Sequence, residues 1–326
     1  MVPPLLVRRA VLAPLAAAVD AAVLLASPVL LLVAVLLSPL FGGWRPVRLG
    51  LIVVTFAARH LAALLACLGL WLTGRSHREA EHYAVLGWFV AGVYDAVVRL
   101  ARVEVVVEAS DASDAADAAL SGHDRPVVVL CRHAGEGDTL LALHYLLCRH
   151  DRRPRLVMHH ALRVDPLIDV LGSRLPNQFV DPRGGDTERD IAAMASGLAP
   201  RDAVLIFPEG GNVTDERRLR GIERLEQGGH VEQAAWARDM ANVIAPRPGG
   251  ALAAIGAADD ADVVVIGHVG FPTGFGELWR LLPHRQVVQL RLWLVPAAEI
   301  PDDHDARIDW LFGAWGALDA WVGAAG

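Results

Sequence analysis

The hydrophobic and polar positions divide the chain into an apolar front part and an alternating remainder. Residues 21–41 carry no charge and are numerous enough to cross a hydrocarbon core of about 30 Å as a helix. A second apolar stretch covers residues 49–72, behind a turn-like segment at residues 42–46. This pattern predicts an N-terminal membrane helical hairpin over residues 1–80.

Two features of this hairpin leave its arrangement in the membrane open. Arg59 and His60 fall in the middle of the second stretch, and an arginine at a bilayer centre costs roughly 2.5–3.5 kcal/mol on insertion scales. This helix could therefore span, lie shallow or be re-entrant. Arg8 and Arg9 ahead of the first stretch would also suit a cleaved signal peptide, but no small-residue cleavage pattern follows, so we expect a retained anchor.

From residue 81 to residue 326, short β-branched runs alternate with segments of helical period. Such alternation is typical of α/β architectures and predicts a mixed sheet flanked by helices, in one domain. Residues 110–124 are polar and predict a solvated connecting helix or loop, while residues 307–322 predict a terminal helix that packs on the core or docks at a membrane interface. The predicted strands are residues 103–108, 126–131, 155–158, 177–180, 203–207, 263–269 and 287–295, and the main helical segments are residues 83–100, 138–149, 187–198 and 231–243.

Composition excludes several classes of protein. With 54% hydrophobic residues, a net charge of −7 and 30 basic residues that are all arginine, the chain is neither disordered nor a basic nucleic-acid binder. Its three cysteines are too widely spaced for a disulfide framework or a cysteine-based zinc site. His159 and His160 are adjacent on a predicted strand and should point to opposite faces, so we expect no metal site there.

The first chemical motif, residues 131–138, lies between a predicted strand and a predicted helix. His133 and Asp138 are five positions apart, which on a regular helix would turn them about 140° away from each other. A loop must therefore carry the histidine. Gly135 and Gly137 permit a bend that returns the imidazole to the carboxylate, giving a His-Asp general-base dyad. The alternative is that Asp138 is only a helix cap and His133 only a turn residue.

The second motif is Phe207-Pro208-Glu209-Gly210-Gly211, at the end of another predicted strand. Backbone N–H groups of Gly210 and Gly211 could bind an anion or a developing oxyanion, and Glu209 could hydrogen-bond a substrate hydroxyl. Turns of this kind are common, so the motif alone indicates little.

The two motifs together, in this order and about seventy residues apart, resemble the lysophosphatidate (1-acylglycerol-3-phosphate) acyltransferase family. Residues 156–183 and 242–250 are similar to two further blocks of that family, and the likeness spans roughly residues 125–270. The resemblance implies a glycerolipid acyltransferase-like fold, with residues 81–326 as the catalytic domain. It also implies transfer of an acyl group from acyl-CoA or acyl carrier protein to a glycerolipid hydroxyl.

The resemblance also implies roles for individual residues. His133 would remove the hydroxyl proton and Asp138 would orient the imidazole, while Arg183 would bind phosphate. Glu209, Gly210 and Gly211 would bind substrate. No metal or cofactor is expected beyond the acyl-CoA or acyl-carrier co-substrate, and the partner is a membrane lipid acceptor. Because thioester donors are cytosolic, we expect the catalytic domain on the cytoplasmic face of the cell membrane.

Departures from the family pattern leave the acceptor open. The family usually continues the second motif with Gly-Thr-Arg or Gly-Thr-Ser, whereas this chain has Gly211 and Asn212, so a cationic contact is missing there. Arg217, Arg218 and Arg247 remain as possible phosphate contacts. The alternatives are an acyltransferase for a different polar-lipid acceptor, a degenerate lipid-binding or scaffold homologue, and a hydrolase that uses Cys131 with His133.

Overall fold

A computed structural model describes residues 2–135, 137–181, 185–272, 275–282 and 284–325. Within them, seven strands form one sheet in the order β1-β7-β6-β2-β5-β3-β4, parallel throughout except for the antiparallel β6–β7 pair. The predicted mixed sheet is confirmed, and every predicted strand segment overlaps an observed one. The strands are β1 Val103–Val107, β2 Val127–Cys131, β3 Arg153–His159, β4 Gln178–Val180, β5 Asp202–Ile206, β6 Asp262–Val269 and β7 Gln286–Val295.

Helices flank this sheet and precede it. The hairpin helices begin at Ala13 and Arg45, earlier than the apolar stretches at residues 21–41 and 49–72. The helices are α1 Ala13–Phe41, α2 Arg45–Leu72, α3 Glu79–Leu100, α4 Asp111–Gly122, α5 Asp138–Leu143, α6 Pro166–Arg174, α7 Thr187–Ala195, α8 Asp215–Gln227, α9 Val231–Asp239, α10 Pro248–Ala257, α11 Phe275–Leu281 and α12 His304–Ala325. Leu5–Val7 forms a short helical turn, Arg8–Leu12 and His144–Arg149 are π-helical, and His160–Val164 and Ala297–Glu299 are 3₁₀ turns.

The central strand β2 is buried on both faces. Val128 and Leu130 contact a core formed with α7 to α10 and α12, whereas Val127, Val129 and Cys131 contact a core formed with α3, α4 and α5. A strand covered on both faces by helices reads as a continuous apolar run, which is why the sequence predicts it. Trp315 and its neighbours in α12 lie in the first core, as the core-packing interpretation of residues 307–322 expects.

The segment expected to connect strands in solvent is instead a packed helix. Ser110 caps α4 by accepting a hydrogen bond from the Ser113 N–H at 3.2 Å. Ala116 and Leu120 are fully buried in the second core. The alanines that make this segment look featureless allow α4 to pack closely on the sheet.

Three helical stretches are long and apolar enough to cross a membrane, namely Leu5–Phe41, Arg45–Leu72 and Glu79–Leu100. Both ends of the first stretch contact the domain that holds the sheet. At one end, Arg8 and Arg9 form ion pairs of 3.2 and 3.1 Å with Asp169 of α6. At the other end, the Phe41 ring packs edge-on against the Trp279 ring of α11, with centroids 5.7 Å apart. The hairpin therefore runs along the domain.

The polar residues inside the hairpin have partners in the protein. The Nδ1 atom of His60 lies 2.6 Å from Asp20 Oδ2, and its Nε2 atom lies 3.8 Å from Asp165 Oδ1. Arg59 donates to the Trp88 carbonyl at 3.1 Å and lies over the Trp88 ring. These contacts place both residues against protein groups, although His60 Nε2 is too far from Asp165 for a hydrogen bond.

Candidate active site

The loop after β2 brings His133 and Asp138 together. The Arg132 N–H donates to the Ile266 carbonyl at 3.0 Å, which continues the β2–β6 ladder to the start of the loop. His133 then leaves the sheet, and Asp138 opens α5. The Nδ1 atom of His133 lies 3.1 Å from Asp138 Oδ2. The loop-borne pairing that the spacing predicts is therefore present, and the His133 side chain keeps 21% of its surface exposed.

Asp138 is fully buried and is surrounded by donors. Besides His133, the Gly135 N–H donates to Oδ2 at 2.7 Å, and His268 Nε2 lies 3.3 Å from Oδ1. Gly137 allows Phe271 to pack against this loop, because a Cβ at this position would lie 1.9 Å from a ring carbon of Phe271. Asp138 therefore does more than cap a helix.

Glu209 fixes the backbone of the histidine. Its side chain is 1% exposed, and its two oxygens accept hydrogen bonds from the His133 N–H at 2.9 Å and the Ile244 N–H at 3.1 Å. Burial raises the pKa of Glu209 to about 7, although the two backbone donors oppose this shift. A substrate hydroxyl would have to share an oxygen that the protein already uses, so the substrate contact of Glu209 stays a prediction.

Arg132 links the loop after β2 to β6 and to the segment before α10 by hydrogen bonds. Its guanidinium donates to the His268 carbonyl at 2.5 Å and to the Asn242 carbonyl at 3.0 Å. Its positive charge also lowers the pKa of Glu209 and so partly offsets the burial of that carboxylate. Neither Arg132 nor His268 is predicted as a site residue from the sequence. A histidine inside the apolar run of β6 is the signal that could have found the second.

An arginine-lined cavity of about 380 Å³ adjoins the loop after β5. Gly210, at φ +71°, lies so close to Arg247 that a Cβ would approach the guanidinium carbon to 2.9 Å. Arg217 lies against Gly211 and donates to the Asn212 carbonyl at 3.1 Å. Arg217 of α8 thus brings a positive charge to Gly211 and Asn212, where the family motif can supply an arginine from the loop itself. The lining residues are His159, Glu209, Gly210, Arg217, Arg220, Arg224, Ile244 and Arg247.

The charge of this cavity is strongly positive. Burial, and then the neighbouring charges of Arg224 and Arg217, lower the pKa of Arg247. Among the described lining residues, the carboxylate is that of Glu209 alone, and it bonds to backbone N–H groups. Grouped guanidinium groups are the usual ligands of phosphate.

The remaining candidate residues are Arg183, Arg218 and Cys131. Arg183 lies outside the described residues, so its predicted phosphate contact stays a prediction. Arg218 donates to the Met240 carbonyl at 3.2 Å and does not line the cavity. Cys131 is buried, and burial raises the pKa of its thiol well above the ordinary value, which disfavours the thiolate that a Cys131 hydrolase would need.

The expectation that His159 and His160 point to opposite faces is wrong. Their rings stack with centroids 4.7 Å apart. The reason is that β3 ends at His159 and His160 opens a 3₁₀ turn, so strand alternation stops between them. In the described parts of the chain, no group of three or more His, Cys, Asp or Glu residues is arranged to hold a metal ion.

We predict that Glu209→Gln removes a pH dependence of stability. Because the folded pKa of about 7 exceeds the ordinary value of 4.5, ionisation of Glu209 destabilises the fold. The stability it contributes is fully present below pH 4.5 and falls by about 3 kcal/mol as the pH rises to 7. Thermal unfolding in detergent from pH 4.5 to 8 should give a difference between wild type and variant that changes over this window.

The control is Glu232→Gln, since Glu232 is exposed and should leave the pH profile unchanged. The amide introduced by Glu209→Gln also turns an N–H₂ group towards a backbone N–H, which leaves that N–H without its acceptor. Parallel profiles for wild type and Glu209→Gln would contradict a Glu209 that ionises near neutral pH.

Comparison with known proteins identifies the domain that carries this site. Residues 105–266 match the family model described as Acyltransferase, the family of lysophosphatidate and glycerolipid acyltransferases. No curated protein and no solved structure matches significantly. The matched residues contain His133, Asp138 and the Phe207 to Gly210 turn. Residues 105–266 are therefore an acyltransferase domain, of the family of lysophosphatidate and glycerolipid acyltransferases.

Proposed function

We propose that the protein moves an acyl chain from acyl-CoA or acyl carrier protein to the hydroxyl of a phosphate-bearing, lysophosphatidate-like glycerolipid. One observation carries this proposal: Glu209 joins the two parts of the site. Its carboxylate bonds to the His133 N–H and also lines the arginine cavity. A general base and an anion-binding cavity therefore share one wall, as a hydroxyl substrate with a nearby phosphate requires.

In the proposed reaction, His133 acts as the general base. Its Nδ1–H donates to Asp138, which leaves the Nε2 lone pair to accept the acceptor's hydroxyl proton. The oxygen attacks the thioester carbonyl, and the N–H group of Gly211 stabilises the oxyanion, since the Gly210 N–H already donates to the Phe207 carbonyl at 3.0 Å. Collapse breaks the carbon–sulfur bond, and the thiolate takes the proton back from His133. Atoms and charge balance without a metal or a redox cofactor in the scheme.

The arginine cavity favours a phosphate on the acceptor. Arg217 and Arg247 together can offset the charge of a phosphomonoester, which the loop sequence Gly211-Asn212 alone could not. This supports a lysophosphatidate-like acceptor over a polar lipid with a larger headgroup. The latter and a degenerate binding protein are outcomes that the experiments below distinguish.

We also propose that the hairpin lies within one leaflet of the cell membrane, with the catalytic domain on the cytoplasmic face. A helix crossing the hydrocarbon core would carry its far end about 30 Å from the domain, whereas Phe41 contacts Trp279 at that end. Large apolar side chains such as Leu25 and Leu40 are 83% and 78% exposed and suit lipid contact. The cytosolic thioester donor sets the expected side.

We predict that His133→Ala lowers the rate of thiol release from acyl-CoA by about 10²–10⁴-fold, the usual contribution of a general base. The measurement is free thiol released by detergent-solubilised protein across a panel of lysolipids. His77→Ala is the matched control, because His77 is exposed and outside the site. If neither wild type nor variant releases thiol with either donor type, the degenerate binder is favoured. Thiol release without any lysolipid would favour a hydrolase.

We predict that Arg217→Gln and Arg247→Gln each raise the KM for lysophosphatidate by about tenfold to a hundredfold, the range for one charge-assisted hydrogen bond. The KM for a lysolipid without a phosphomonoester should change less. Arg99→Gln is the control, since Arg99 is exposed and pairs with Asp95 on the surface. An unchanged KM for every acceptor would contradict a phosphate-binding cavity.

We predict that a membrane-impermeant maleimide labels Trp44→Cys and the native Cys148 from the same side of membrane vesicles. Trp44 lies at the hairpin turn and is 57% exposed, while Cys148 is an exposed cysteine of the catalytic domain. Trp44→Cys combined with Cys148→Ser isolates the turn signal. Labelling of the two sites from opposite sides would mean that the hairpin crosses the membrane.

A further inference from the structure

His268 contacts the side of Asp138 that His133 does not use. It lies in β6, is fully buried, and has the same strand parity as Val264 and Ile266, which face the core containing α5. Its Nε2 atom lies 3.3 Å from Asp138 Oδ1 and 3.2 Å from the Arg132 carbonyl oxygen. Its Nδ1 atom has no hydrogen-bond partner among the described residues.

This environment assigns the tautomer and charge of His268. Both neighbours of Nε2 are acceptors, so the proton belongs on Nε2 and not on Nδ1. Burial lowers the pKa of His268 and outweighs the attraction of Asp138, and the nearby charge of Arg132 acts in the same direction as burial. His268 is therefore a neutral donor and leaves the negative charge of Asp138 available to His133.

The two oxygens of Asp138 thus have different tasks. Oδ2 receives His133 Nδ1–H and the Gly135 N–H, whereas Oδ1 faces His268. Oδ1 makes no regular hydrogen bond among the described residues, and His268 Nε2, 3.3 Å away, is the polar group that faces it. Without His268, this buried oxygen would lose that favourable electrostatic contact, and the carboxylate could rotate towards another donor. Such a rotation would weaken its hold on the imidazole.

We propose that His268 is a positioning residue for acyl transfer, which acts through Asp138 to keep the carboxylate turned towards His133. The inference rests on the proposed general-base role of His133. It extends the pair to a chain His268–Asp138–His133, with one member from β6, one from α5 and one from the loop after β2.

The first test compares two substitutions of His268. In His268→Leu the donor is lost, whereas in His268→Gln an amide N–H₂ can take the place of Nε2–H. We expect His268→Leu to lower kcat at least about tenfold with KM changed less than about threefold, and His268→Gln to recover most of kcat. His82→Leu is the control, since His82 is also fully buried but lies in α3; it should change thermal stability and not kcat per folded molecule.

The second test asks whether His268 acts through Asp138. In an Asp138→Asn background, His268→Leu should cause almost no further loss of kcat, because the interaction it supports is already gone. If the losses of kcat in the two single variants multiply in the double variant, His268 acts elsewhere and the proposal is overturned. Equal kcat in wild type and His268→Leu would overturn it as well.

A third measurement separates this inference from the proposed function. In protein labelled with ¹⁵N-histidine, the Nδ1–H signal of His133 bonded to Asp138 should be present in wild type and His268→Gln, and weakened or shifted in His268→Leu. This readout does not need turnover, so a wild type without acyl transfer would refute the proposed function and leave the chain testable. An unchanged signal in His268→Leu would refute the chain itself.

Discussion

The need of two buried carboxylates for hydrogen-bond donors determines the arrangement of the candidate active site. Asp138 is fully buried and Glu209 is 1% exposed, and taking an ion of this kind out of water costs several kcal/mol unless hydrogen bonds replace its hydration. The hydrogen-bonding groups come from the loop after β2 and from residue Ile244 before α10, and His268 of β6 adds a polar contact at 3.3 Å. They can meet because β2 pairs in parallel with both β5 and β6. The contacts of the buried carboxylates therefore depend on this order of strands.

The same reasoning applies to the hairpin. Arg8 and Arg9 converge on Asp169, which is 1% exposed on its side chain, and His60 meets Asp20 between the two hairpin helices. In a medium of low dielectric constant, such pairs are costly to separate. The helix bearing Asp169 follows β3, and α11, which contacts Phe41, follows β6. In the sheet order these strands lie on either side of β2 and β5. The hairpin therefore contacts the domain on both sides of the loops that follow β2 and β5.

The sequence predicts those parts of the structure that depend on local patterns. Apolar runs identify the parallel strands because both faces are covered, and the glycines of the His133 loop indicate a bend towards Asp138. The sequence does not predict the partners of Glu209, since these are backbone N–H groups of residues 133 and 244 and carry no side-chain signature. It also mistakes α4 for a solvated segment, because alanine gives no amphipathic pattern although Ala116 is fully buried.

The arginines of the cavity lie on one helix although the neighbouring loop motif carries no cation. Thr214 caps α8 by accepting from the Arg217 N–H at 3.2 Å, which sets the helix phase. Spacings of three and four residues then bring Arg217, Arg220 and Arg224 to one helix face, while Arg218 turns away to the Met240 carbonyl.

Arg220 pairs with Glu216 on the same helix, but among the described residues no carboxylate forms an ion pair with Arg224 or Arg247. Like charges held together in this way repel, and a bound anion would offset that repulsion. Part of the free energy of phosphate binding would therefore come from relief of a strain that the unliganded protein already carries. A helix-borne cluster supplies this effect, whereas a single loop arginine, as in the usual family motif, would not.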